Sequence, residues 1–223
     1  MRKPSLLIVV VCFISIPILN AQFNQGKFLL GVSSSSDLYS LMSMYDNGSQ
    51  HIVNLGFSTF KYKSDSDEDD SEKLRNFNIT PKVGYFLGNN LVAGFNINFS
   101  VAAIGSGDDK ESETQIGFGP FIRYYIPGEK IAPFFELGGS IGSRKQKYID
   151  WNEDEETYKQ SINSFYGGIG LALPLGEKVS FDVMGGYFSS IAKDKEDNPD
   201  NTRLIFNTIG IEIGFQVIIG ANE

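Results

Sequence analysis

Along most of the chain, apolar and polar residues alternate one for one. In Leu91–Val101, Leu91, Ala93, Phe95, Ile97, Phe99 and Val101 share one face, while Gly94, Asn96, Asn98 and Ser100 share the other. A period of two is the signature of a strand whose faces meet different surroundings. Ile209–Ile219 repeats the pattern, with Ile209, Ile211, Ile213, Phe215, Val217 and Ile219 opposite Gly210, Glu212, Gly214 and Gln216. The same reading places strands at Phe77–Phe86, Ile116–Ile126, Ile131–Gly142, Phe165–Pro174 and Val179–Ser189, and a weaker one at Val53–Tyr62. These make eight strands in an all-β chain. Phe28–Val32 reads as a further half-strand near a seam, with Asp37–Gln50 bringing the chain back.

The connections alternate in length. Short turns stand at Leu87–Asn90, Pro127–Lys130 and Leu175–Lys178, and long polar connections at Lys63–Lys73, Gly105–Glu113, Lys147–Lys159 and Ala192–Asn201. Short turns on one side and long loops on the other are what an outer-membrane barrel shows, with the short turns periplasmic. Eight strands joined this way leave both ends of the barrel on one side. The segments 84–91, 123–131 and 172–179 are loose copies of one hairpin unit: an apolar strand end, a Gly-containing turn and an apolar restart. Tyr85, Tyr124 and Phe135 lie beside these turns, where an interfacial aromatic girdle belongs.

Alternation alone leaves open which face points outward, and charge decides it. The surface of a soluble protein is roughly 25–35% charged. Well inside the strands, the polar face carries only Lys82, Arg123, Glu136, Asp182 and Glu212, and nearly all other charge sits in the connections. Strands this poor in charge fit an apolar belt facing lipid and disfavour a soluble ligand-carrying barrel. No segment after the first twenty residues approaches the run of apolar residues that a membrane helix needs.

The opening residues indicate export. Arg2 and Lys3 precede the apolar run Leu6–Leu19 and a small residue, Ala21. This is the pattern of a secretory signal peptide over residues 1–21, leaving a barrel domain over 22–223. The whole chain carries a formal charge of −8, and removing Arg2 and Lys3 makes the remainder more acidic, which argues against nucleic acid and against an anionic membrane surface as partners. Its one cysteine, Cys12, leaves with the signal, so neither disulfides nor thiol chemistry are expected.

The segments Phe77–Phe86 (FNITPKVGYF) and Gly117–Tyr125 (GFGPFIRYY) resemble strand signatures of the porin-like small outer-membrane β-barrel family, and the order of hairpins agrees from about Phe28 to Ile219. The resemblance implies a closed, up-and-down antiparallel transmembrane barrel of the eight-stranded OmpA/OmpX kind, and it implies little about activity. The expected setting is the bacterial outer membrane, as a monomer among outer-membrane lipid and lipopolysaccharide after insertion by the barrel-assembly machinery, with the acidic loops extracellular.

The candidate site is the set of five strand charges. An eight-stranded bore is only wide enough to be filled by side chains, so two cations and three anions sealed there must pair. The expectation is a lumen ion-pair network of Lys82, Arg123, Glu136, Asp182 and Glu212 acting as a structural plug, with a small passive porin-like channel as the alternative. No catalytic residue, cofactor or metal ligand is expected. His51, the sole histidine, has no Asp or Ser partner close in sequence. The acidic run Ser64–Glu72 lacks the spacing of a calcium hand and reads as a solvated loop, with weak calcium or magnesium bridging to lipopolysaccharide as its functional alternative.

Overall fold

The computed structural model describes residues 23–35, 57–61, 73–106, 109–128, 130–149, 155–195 and 202–220. The expected signal peptide, Asp37–Gln50, His51 and the acidic run Ser64–Glu72 lie outside the described residues. Among the described residues, nine antiparallel strands form one sheet: β1 (Phe28–Ser35), β2 (Phe57–Lys61), β3 (Lys73–Gly88), β4 (Leu91–Ser106), β5 (Asp109–Tyr125), β6 (Ala132–Ile149), β7 (Glu155–Pro174), β8 (Val179–Asp194) and β9 (Arg203–Ile219). From β3 to β9 each strand pairs with the next, and β1 bridges β9 and β3 to close the barrel. Eight strands (β1 and β3–β9) therefore make the wall of an all-β closed barrel. Closure matters because a barrel with no open edge satisfies its backbone hydrogen bonds internally, as a lipid environment demands.

The seam differs from the expectation. Val53–Tyr62 was expected to span, yet its described part, β2, is five residues long and pairs only with β3, from Phe57↔Phe77 to Lys61↔Lys73. The segment expected to be a half-strand is instead the closing strand, bonded to β9 from Phe28↔Ile219 to Ser35↔Glu212 and to β3 from Phe28↔Tyr85 to Ser33↔Thr80. The physical reason is edge satisfaction. β1 uses both of its edges, whereas β2 only extends the cover of β3 above the point where β1 stops.

The long connections are also shorter than their composition suggested. β4 and β5 run to Ser106 and from Asp109, and β6 and β7 run to Ile149 and from Glu155, so much of Gly105–Glu113 and Lys147–Lys159 is paired strand. Past the apolar belt neither face has to meet lipid. A strand there needs no alternation, and its sequence looks like loop.

The faces match the reading from charge. Outward lie Leu30, Val83, Phe95, Ile97, Phe118, Ile122, Leu137, Ile169, Ile209 and Phe215, all exposed on the barrel surface. Inward lie the polar-face residues, with Lys82, Asn96, Arg123, Glu136 and Gln216 each 1% exposed. Tyr85, Tyr124 and Phe135 stand on the outer face beside the short turns. The tightest of these turns is Asn89–Asn90, where Asn90 adopts φ 68°, a left-handed conformation that Asn tolerates better than most residues.

Candidate functional site: the barrel interior

Inside the barrel the side chains stack in layers. At the end with the short turns, Phe23, Phe86, Tyr125 and Phe134 form an aromatic floor. Phe23 stacks on Tyr125 with ring centroids 4.0 Å apart, and Tyr125 lies 5.8 Å from Phe134. The segment carrying Phe23 is tied beneath the wall by backbone bonds: Gly26 N–H to Phe86 O (3.0 Å), Phe86 N–H to Lys27 O (2.9 Å) and Asn90 N–H to Phe23 O (2.7 Å). This floor includes a residue that strand patterning missed, because Phe23 precedes the first strand.

Next to the floor are the five strand charges, which the fold brings together from β3, β5, β6, β8 and β9. Lys82 Nζ lies 2.6 Å from Glu136 Oε1 and 2.5 Å from Glu212 Oε1. Arg123 Nε lies 2.5 Å from Glu136 Oε2, and its Nη1 pairs with Asp182. Glu136 is thus shared by both cations and also accepts from the Tyr166 hydroxyl at 2.8 Å. Asp182 accepts from Ser180 Oγ at 2.8 Å, and Arg123 Nη1 donates to Tyr125 Oη at 2.9 Å. Ring faces complete the surroundings. The Arg123 guanidinium sits 4.0 Å over the Phe134 ring, and the Lys82 ammonium lies 5.6 Å from Tyr166 and 5.8 Å from Phe121. Each cation meets at least two carboxylates in a space of low polarity, where paired charges attract strongly and single ones are costly.

Glycine makes room for the rings. A Cβ at Gly138 would come within 2.6 Å of the Tyr166 ring, and one at Gly170 within 2.3 Å of Phe134. Bare backbone at these positions lets large aromatics cross the bore. Tyr166 stacks with Phe188 at 5.9 Å, and Met184 is buried close by.

A second polar cluster lies toward the long-loop end and was not anticipated. Arg144 Nε is 3.1 Å from Glu113 Oε1, its Nη1 donates to Gln160 Oε1 at 3.0 Å, and Gln160 Nε2 donates to Asp194 Oδ1 at 2.7 Å. These residues share inward parity with the five, but sequence reasoning ended their strands too early. Asn96 Oδ1 and both polar atoms of the Gln216 amide are buried without a hydrogen-bond partner among the described residues.

A closed barrel with an apolar exterior, a charged and aromatic interior, short turns at one end and extended hairpins at the other is the architecture of a membrane-spanning outer-membrane barrel. Residues 38–222 match the outer membrane protein beta-barrel domain family, and the chain belongs to that family. Among solved structures it is similar to OprG from Pseudomonas aeruginosa (12% identity, 93% of this chain and 100% of that one, TM-score 0.47). It is also similar to the neisserial surface protein NspA (13%, 86% and 99%, TM-score 0.43). A third is Ail, the attachment invasion locus protein of Yersinia pestis (15%, 87% and 99%, TM-score 0.36). No curated protein sequence matches the chain.

Proposed function

We propose that this outer-membrane barrel is non-enzymatic and sealed, and that it serves as a structural or surface-interaction element rather than as a conduit. The observation that carries the reading is the shared Glu136, which holds Lys82 and Arg123 together across the bore above the aromatic floor of Phe23, Phe86, Tyr125 and Phe134. A solvated pore would leave its charges apart and facing water, whereas here each of the five side chains is at most 9% exposed. The bore then contributes stability, and what meets the outside is the set of extended hairpins and their loops. In this reading a signal peptide over residues 1–21 directs export, and the mature chain works as a monomer among outer-membrane lipids.

A small passive channel is the second reading, favoured by the unpartnered Asn96 and Gln216 atoms, which call for water inside the barrel. Single-channel recording of the refolded protein in a planar bilayer separates the two. The sealed reading expects no sustained current from the wild type. A stable, cation-selective conductance would overturn it.

A further inference from the structure

Among the strand side chains that are described, the outer wall carries charge of one sign, while both signs lie inside. Every strand carboxylate whose side chain is described faces inward: Glu113, Glu136, Asp182, Asp194 and Glu212. On the outer face, above the last apolar row of β6–β9, stand Lys145, Lys147, Lys159, Lys193 and Arg203, with Lys195 just past the end of β8. Four of these cations stand opposite one another in two cross-strand pairs, Lys145↔Lys159 and Lys193↔Arg203. Lys195 leans back over β7 toward the belt, its Nζ donating to Ser143 Oγ at 3.3 Å.

On β5–β7, below Lys145 and Lys159, the apolar belt carries a depression of about 420 Å³, lined by Phe118, Gly119, Pro120, Ser140, Ile141 and Asn163 along with Ser164. It forms where β5 and β6 lose their ladder: Phe118↔Ile141 and Phe121↔Gly138 are paired, while Gly119 and Pro120 between them are not. Pro120 has no N–H to give to the ladder. The order along β6 is Ile141 in the groove, Ser143 at the boundary, then Lys145 and Lys147. Along β7 it is Asn163, Ser161, then Lys159.

We propose that this face of β5–β8 is a binding site for one phosphorylated, multiply acylated lipid of the outer leaflet, of the lipopolysaccharide type. An acyl chain lies in the Phe118–Ile141 groove, and the headgroup phosphate is held by Lys145, Lys159 and Lys195 beside Ser143. The inference rests on the outer-membrane reading, and it assigns lipid binding to the basic outer wall rather than to divalent cations on the acidic loops. The spacing suits such a lipid because chain and phosphate stand in the order and on the side that the bilayer imposes. Each lysine beside an anionic lipid is worth about a fivefold change in affinity, so removing three predicts a loss of about a hundredfold at low salt.

The test uses the full mature chain refolded in zwitterionic detergent and titrated with bisphosphorylated lipid A, with dephosphorylated lipid A and with phosphatidylglycerol, read by native mass spectrometry. Wild type should prefer the phosphorylated lipid A over both others, with affinity falling as salt rises. The variant K145Q/K159Q/K195Q should lose that preference, and K130Q/K178Q, at the opposite end, should keep it. EDTA should leave wild-type binding unchanged. The proposal is overturned if the triple variant binds as wild type does, if the dephosphorylated lipid binds equally, or if EDTA abolishes binding. Heat-modifiable migration in lipid-A-free phosphatidylcholine vesicles scores the barrel separately, so failure of the membrane reading and failure of the lipid site give different results.

Discussion

Replacing Arg123 by Ala tests the interior network most directly. The guanidinium is 1% exposed, pairs with Glu136 and Asp182, donates to Tyr125 and lies 4.0 Å over Phe134. Without it, two cations against three anions become one against three. Glu136 retains Lys82 at 2.6 Å and the Tyr166 hydroxyl at 2.8 Å, while Asp182 keeps the Ser180 hydroxyl at 2.8 Å. Breaking a buried pair from one side costs roughly 3–5 kcal/mol, most of it the penalty of the charge left behind. The loss should fall at the upper part of that range, because a cavity opens beneath Phe134 as well. Urea unfolding in phosphatidylcholine vesicles, followed by the compact heat-modifiable band, measures it. Removing the stranded anion too should recover part of the loss, so Arg123→Ala/Asp182→Asn is expected to lie above the sum of the single variants by roughly 0.5–3 kcal/mol. A single variant within about 1 kcal/mol of wild type, the value of an exposed pair, would refute the claim that this network holds the bore closed.

Further expectations concern the wall and its surroundings. Phe95→Arg places a charge on the lipid face and should cost about 2–4 kcal/mol in bilayers; equal stability in lipid would show that this face does not meet hydrocarbon. Gly170→Ala drives a Cβ to within 2.3 Å of the Phe134 ring, and overpacking of this kind costs typically 1–3 kcal/mol, checked by the same urea titration. Phe23→Ala removes the ring stacked at 4.0 Å on Tyr125 and should lower the unfolding midpoint by about 3–5 kcal/mol equivalent, whereas an unchanged midpoint would mean that the floor closes without it. Protease added to intact cells should nick within 62–72 or 196–201 and spare Pro127–Lys130; the opposite pattern would invert the topology.

Much of this protein was legible before any coordinates. Period-two alternation located seven of the eight wall strands, because a wall with lipid on one side and packed side chains on the other imposes its pattern residue by residue. The poverty of charge on the polar face set which side was out, and Leu30, Phe95 and Ile209 do stand on the exterior while Lys82 and Glu136 do not. What pattern did not carry was the seam. Phe28–Ser35 and Val53–Tyr62 both alternate, and only register shows that β1 can bond β9 and β3 at once while β2 serves one edge. Nor did it carry the strand extensions beyond the belt, where the outer face no longer meets lipid and the sequence is freed from alternation, so the inward Arg144 and Glu113 and the outward Lys145 and Lys159 were hidden. The sequence by itself determined that charges would lie inside the barrel. Tertiary structure decided which met which, because Lys82 and Glu212 are 130 positions apart in the chain and become neighbours only when closure brings β3 and β9 to either side of β1.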